Sequence, residues 1–128
     1  MHYLTKEQLL LIHSMIIDET GGMHGLRDYG ALLSIEAMPK QKVFERELYK
    51  DIFEKAAAYA KFIILNHPFL DGNKRTGISA ASVFMENNGY AIEAQEGEIE
   101  KFALKIATEK LGIPEIARWL EKYSKKKL

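Results

Sequence analysis

Apolar residues recur at intervals of three and four along most of the chain, and they predict one helix after another. The first stripe is Leu9, Ile12, His13, Ile16 and Ile17. Just ahead of it, Thr5 and Gln8 stand at the spacing of a capping box, with Leu4 and Leu9 placed as the flanking hydrophobic staple. Gly21-Gly22 is the expected stop. The segment from Gly21 to Arg27 holds three glycines and few core candidates, so it reads as a loop. Asp28 is placed to cap a short helix through Ala37, which Pro39 ends. The longest periodic segment runs from about Glu47 to Asn66, with Ile52, Phe53, Ala56, Tyr59, Ala60, Ile63 and Ile64 facing inward. It is apolar over much of its girth, the pattern of a central helix buried by its neighbours.

A second helix-forming stretch runs from Thr76 to Asn87 and closes at Asn88-Gly89. Its small residues, among them Gly77, Ala80 and Ala81, allow close packing against the central helix. Tyr90 to Ala94 alternates and predicts a brief extended piece. Two further helices are expected. Glu98–Lys110 turns Phe102, Ala103, Ile106 and Ala107 inward and stops at Gly112; Pro114–Tyr123 carries proline in its first turn and turns Ile116, Ala117 and Leu120 inward. With no repeat, linker or low-complexity tract, residues 1–128 predict a single all-α domain.

Charge and composition narrow the function. Eighteen basic and eighteen acidic side chains cancel, so no global field draws the chain to nucleic acid or to an anionic membrane. The Lys125-Lys126-Lys127 run reads as a solvated, frayed tail. There is no cysteine, which excludes disulfides, thiolate catalysis and cysteine–zinc sites. No stretch approaches the roughly twenty apolar residues of a membrane span, and no signal-peptide pattern opens the chain, so a cytoplasmic location is expected.

The most informative stretch is His67-Pro68-Phe69-Leu70-Asp71-Gly72-Asn73-Lys74-Arg75-Thr76-Gly77, at the mouth of a predicted helix. A helix N-terminus presents unpaired N–H groups and partial positive charge, a ready site for an anion. Gly72 lets backbone approach a ligand, Asn73 tolerates capping conformations, and Lys74 and Arg75 add full charges. The dipole disfavours two cations at that end unless an anion is bound. The stretch therefore points to phosphate chemistry. Pro68 is expected to hold His67 in an extended conformation and so end the central helix.

His67-Pro68-Phe69-Leu70-Asp71-Gly72-Asn73-Lys74-Arg75 resembles the signature of the Fic/Doc superfamily, His-x-Phe-x-(Asp/Glu)-(Gly/Ala)-Asn-(Gly/Lys)-Arg. Lys74 and Thr76-Gly77 resemble the Doc branch, the death-on-curing toxins of toxin–antitoxin modules, as does Gly22-Met23-His24-Gly25-Leu26-Arg27-Asp28 upstream. The resemblance implies a compact Fic/Doc helical bundle around a central helix, with ATP as substrate. His67 becomes the general base, and Asp71 the residue that holds Mg²⁺. The amides of Gly72, Asn73 and Lys74 become an anion nest, with Arg75 gripping another phosphate. Phe69 is expected to plug into the core and hold His67 in place. Doc-like proteins pass the γ-phosphoryl group of ATP to a threonine of elongation factor Tu and so inhibit translation; a Phd-like antitoxin restrains them.

Fic-type enzymes transfer AMP instead. Their pattern has glycine where Lys74 stands and a second arginine where this chain has Ile78, and both departures favour phosphotransfer. Gly72 in place of the alanine usual in Doc leans the other way but removes no ligand. A non-enzymatic module that binds an anion to regulate is a further alternative, and a metal hydrolase built on His24, His67 and Asp71 lacks a ligand pair at helical spacing. His24, Arg27 and Asp28 read as structural or target-docking residues, His13 as a helix-face residue, His2 as part of a frayed terminus, and Tyr49, Tyr59 and Trp119 as packing groups. Ser82 to Asn87 has the form of an inhibitory-helix motif, but it falls within the helix that the active motif opens, the wrong place for such a segment.

Overall fold

Thr5 opens the first helix as its spacing predicts. In the computed structural model, which describes residues 1–127, its hydroxyl accepts from Gln8 N and the Gln8 side-chain oxygen accepts in turn from Thr5 N. Helix α1 spans Lys6–Thr20, and Leu4 and Leu9 are both buried. Asp28 caps α2, Tyr29–Ala37, by accepting from Ala31 N, and a 3-10 turn at Met38–Lys40 carries Pro39. Then come α3 (Ile52–Asn66), α4 (Asn73–Asn87), α5 (Glu96–Glu109) and α6 (Ile113–Lys122). The described residues are mostly helical, an all-α bundle with small β trimmings.

The centre is the pair α3 and α4, packed along each other as the two arms of a hairpin. Tyr59, Ala60, Ile63 and Ile64 face Ala80, Ala81, Phe84 and Met85, all buried. The helices meet most closely at Gly77, where an added Cβ would stand 2.7 Å from Ile64 Cγ1 and 3.0 Å from the Ala60 carbonyl. The small residues of α4 do the packing expected of them. Helices α1, α2, α5 and α6 cover this pair, with Phe102 stacked on Trp119 at 4.1 Å.

Several boundaries move. The central helix starts at Ile52, not Glu47, because Asp51 caps it by accepting from Glu54 N. The residues ahead of it form a small antiparallel ribbon, β1 (Lys42–Val43) with β2 (Arg46–Glu47), in the register Lys42–Glu47 and Val43–Arg46. Phe44 and Glu45 turn that ribbon with φ of 50° and 66°. Helix α4 begins at Asn73, three residues ahead of Thr76, and α5 ends with Lys110 left-handed, while Gly112 caps α6 instead of stopping α5. The basic tail is not a frayed end: β4 (Ser124–Lys126) pairs with β3 (Tyr90–Ile92) in antiparallel register, Tyr90 opposite Lys126. Nor is His2 loose, since its N–H and C=O both bond the Asn88 side chain. Among the described residues no helix is long and apolar enough to cross a membrane.

Candidate active site

Helix α3 ends at Asn66 and α4 begins at Asn73, so the motif is the turn of the central hairpin plus the first helical turn beyond it. His67 is the C-terminal cap of α3, left-handed at φ 48°, ψ 62°, its N–H on the Ile63 carbonyl. The extended conformation expected ahead of Pro68 is thus overturned. The helix is closed by a left-handed residue in the manner that glycine or asparagine usually supplies. No side-chain hydrogen bond holds the His67 imidazole among the described residues, and the residue is exposed.

Three groups fix this turn from outside. The glycine-rich loop lies against it through a β-bridge between Leu26 and Phe69: Pro68 O accepts from Arg27 N at 2.8 Å and Asp28 N at 3.1 Å, and Leu70 N donates to Gly25 O at 3.0 Å. Phe69, 1% exposed, is the expected plug, and His13 lies flat against it, ring centres 3.8 Å apart. The Asn73 side chain then grips both polar groups of the Phe69 backbone, accepting from its N–H at 3.1 Å and donating to its carbonyl at 3.0 Å. Asn73 is buried and its amide is committed inward, so what it offers a ligand is its backbone N–H.

The free amides follow from Gly72. Left-handed at φ 75°, it has no side chain to cap α4, and the first helical bond runs from Thr76 N to Gly72 O. The N–H groups of Asn73, Lys74 and Arg75 point out of the helix end without an intrahelical acceptor. Gly72 N itself donates to Asp71 Oδ1 at 2.9 Å. The amides left free at the helix start are therefore those of residues 73 to 75, while that of Gly72 is taken up by Asp71. Lys74 and Arg75 are exposed beside it; neither belongs to an ion pair among the described residues, and Arg75 donates to the Thr20 hydroxyl at 3.0 Å.

Asp71 is exposed, and each carboxylate oxygen takes one amide: Oδ1 that of Gly72, Oδ2 that of Met23 at 3.2 Å. Both keep lone pairs toward solvent. One exposed hard carboxylate next to free amides would fit Mg²⁺, a cation that favours oxygen ligands. It does not fit a metal hydrolase: His24 is turned to Asp18 at 2.9 Å, an exposed pair.

His13, Gly22, Met23 and Arg27 take part in this geometry beyond what their sequence pattern shows. His13 is 3% exposed, and its Nε2 lies 2.8 Å from the Asp71 carbonyl, which can only accept, so that nitrogen carries the proton. Burial pushes its pKa below the ordinary 6.5, against the pull of that carbonyl. A histidine on an apolar helix stripe is the only signal the sequence offers for it. Gly22, at φ 116°, passes so near the carboxylate that a Cβ would stand 2.7 Å from Asp71 Oδ2. Gly22→Ala is expected to displace that carboxylate and raise the magnesium concentration needed for half-maximal ligand binding about tenfold, as outer-shell changes do. Calorimetry of Mg²⁺–ADP would read it, and an unchanged magnesium dependence would refute it.

A model of the Fic/DOC family matches residues 3–85. The chain is 37% identical over 92 residues to Toxin Doc of Mycolicibacterium smegmatis, covering 72% of this chain and 68% of that protein. It is 28% identical over 122 residues to Protein kinase doc of Escherichia phage P1, covering 95% of each. With the motif forming the central turn and the match running through the bundle around it, this chain belongs to the Fic/DOC family.

Proposed function

We propose that this protein is a Doc-type toxin kinase: it transfers the γ-phosphoryl group of ATP to a serine or threonine hydroxyl of a translation factor, elongation factor Tu, and thereby inhibits translation. The observation that carries the reading is the uncapped start of α4, where three free amides and two cations outside any ion pair among the described residues follow directly on Asp71 and the His67 turn. Relatives named Toxin Doc and Protein kinase doc support the class of activity.

The amides of Asn73, Lys74 and Arg75 would bind the polyphosphate, with the Arg75 guanidinium and the Lys74 ammonium offsetting its charge. Asp71 would hold Mg²⁺, which would supply positive charge against the negative charge that grows on the phosphoryl group being transferred. His67 takes the proton from the incoming hydroxyl. The alcohol oxygen then bonds to the γ-phosphorus, the bond from that phosphorus to the bridging oxygen breaks, and ADP leaves with the electron pair. The His67 proton returns to solvent. Phe69, His13 and Asn73 hold the turn rigid while this happens.

Phosphotransfer is favoured over AMP transfer by position 78. The AMP-transferring branch carries a second phosphate-binding arginine there, whereas Ile78 is 6% exposed and forms part of an apolar wall. That wall belongs to a cleft of about 460 Å³ between α1, α4 and α5, lined by Ile16, Thr20, Lys74, Arg75, Ile78 and Ile99. Glu19, Glu96 and Glu100 also line it, opposite Lys74 and Arg75, and a groove of this mixed character suits the tail of a Phd-like antitoxin that folds as it binds. Incubating the protein and purified elongation factor Tu with ATP labelled at the α or the γ position tests the reaction. The γ label is expected on the factor. An α label retained there would establish AMP transfer instead, and no label of either kind would leave only a binding module.

A further inference from the structure

His67 occupies a conformation that two features of its own sequence oppose. It is neither glycine nor asparagine yet has φ 48°, ψ 62°, and the residue before a proline is driven toward extended angles. Something else must hold it there, and Arg27 is the group in contact. Its Nε donates to the His67 carbonyl at 2.6 Å and its Nη2 to the Asn66 carbonyl at 2.7 Å. These are two of the orphan carbonyls at the end of α3, where the helix dipole also favours a cation. The Arg27 backbone is anchored in turn, since its N–H and that of Asp28 share the Pro68 carbonyl. One residue thus grips the chain on both sides of the peptide bond between His67 and Pro68.

The direction of the imidazole follows from this grip. Backbone angles set where the Cα–Cβ bond points, so a relaxation of His67 to the extended angles that Pro68 favours would swing its side chain to another side of the turn. The phosphate cradle has separate supports: Asn73 on the Phe69 backbone and His13 on the Asp71 carbonyl. We propose that Arg27 is the positioning residue for His67, locking the general base in the one orientation that faces the acceptor hydroxyl, while contributing nothing to nucleotide binding. The proposal rests on the kinase reading of the site given above.

The test uses label transfer from γ-labelled ATP into a dialysed bacterial extract, with Mg²⁺–ADP binding measured by calorimetry. Arg27→Ala is expected to lower kcat about 10- to 100-fold, the cost of a displacement near 1 Å. KM for ATP and the affinity for Mg²⁺–ADP should stay within about twofold, because the cradle is held separately. Arg27→Lys, which keeps the charge but loses the fork, should recover only part of the rate. In a His67→Asn background Arg27→Ala should cost nothing further, and the His67 ring resonances should shift in Arg27→Ala while those of His13 stay. If Arg27→Ala does not fold, Arg27→Lys and Arg27→Gln carry the same comparison. A wild-type kcat in all three, or a loss that appears in KM instead of kcat, overturns the inference and leaves the kinase reading intact provided His67→Asn is inert. An active His67→Asn removes the general base, and this inference with it.

Discussion

His67→Asn is expected to abolish transfer and growth arrest while leaving the protein at least as stable as before. The catalytic part follows from losing the proposed general base, worth about 10²- to 10⁴-fold. The stability part follows from the left-handed backbone at this position. Histidine tolerates that conformation better than most side chains but less well than asparagine. The imidazole offers nothing in return, being exposed and without a hydrogen-bond partner among the described residues. Asparagine should therefore gain about 0.5–1 kcal/mol, the order of a single left-handed residue's strain. His67→Val should fail in the opposite sense, because a β-branched residue at positive φ is strongly disfavoured. A thermal melt of the two variants separates these signs. Transfer within tenfold of wild type in His67→Asn, or a melt well below wild type, would contradict the assignment. Loss of activity together with a gain in stability is what a residue held in strain for its chemistry should show.

That strain also marks where sequence and structure part. Local rules of hydrogen bonding carried the helix starts: Thr5 with Gln8 and Asp28 with Ala31 were legible because each acts within a few positions of itself, while the small residues of α4 were legible as a run that lets another helix approach. The candidate site stands out for another reason, since a carboxylate, a glycine and two cations gathered at a helix start suit a bound anion, and the structure places them at the start of α4. What escaped depends on partners distant in the chain. The β4 strand looks like a solvated lysine tail until β3 lies beside it. The conformation of His67 looks fixed by Pro68 until Arg27, forty residues earlier, supplies two hydrogen bonds that reverse the preference. Residues 47–51 read as the first turn of the central helix because Glu47, Tyr49 and Lys50 do not break a helical pattern, whereas the helix starts only after Asp51 caps it and Glu47 belongs to the ribbon.

Lys55 is the most costly of these long-range surprises, and replacing it should produce the largest loss of stability. It sits on the central helix, where a lysine ordinarily marks the solvent side, yet it is fully buried. Its ammonium donates to the Tyr49 carbonyl at 2.6 Å and the Pro39 carbonyl at 3.3 Å, reaches Glu47 Oε1 at 3.1 Å, and lies 5.5 Å from the centre of the Tyr3 ring. One side chain thereby ties the whole arm from Pro39 to Tyr49, β-ribbon included, onto α3. Lys55→Met keeps most of the volume but strands two buried carbonyls, at about 1–3 kcal/mol for each unsatisfied group. Relief of the cost of burying a charge offsets part of this, leaving an expected loss of about 2–4 kcal/mol. The carboxylate matters less than the carbonyls. Glu47 is nearly half exposed, so Glu47→Gln should cost less than about 1 kcal/mol. Chemical denaturation reads both values, and hydrogen exchange over residues 39–50 should rise in Lys55→Met alone. Equal losses in the two variants would mean that the ion pair holds the arm. A ranking of Lys55 well above Glu47 would mean that backbone carbonyls do, with the charge buried to satisfy them.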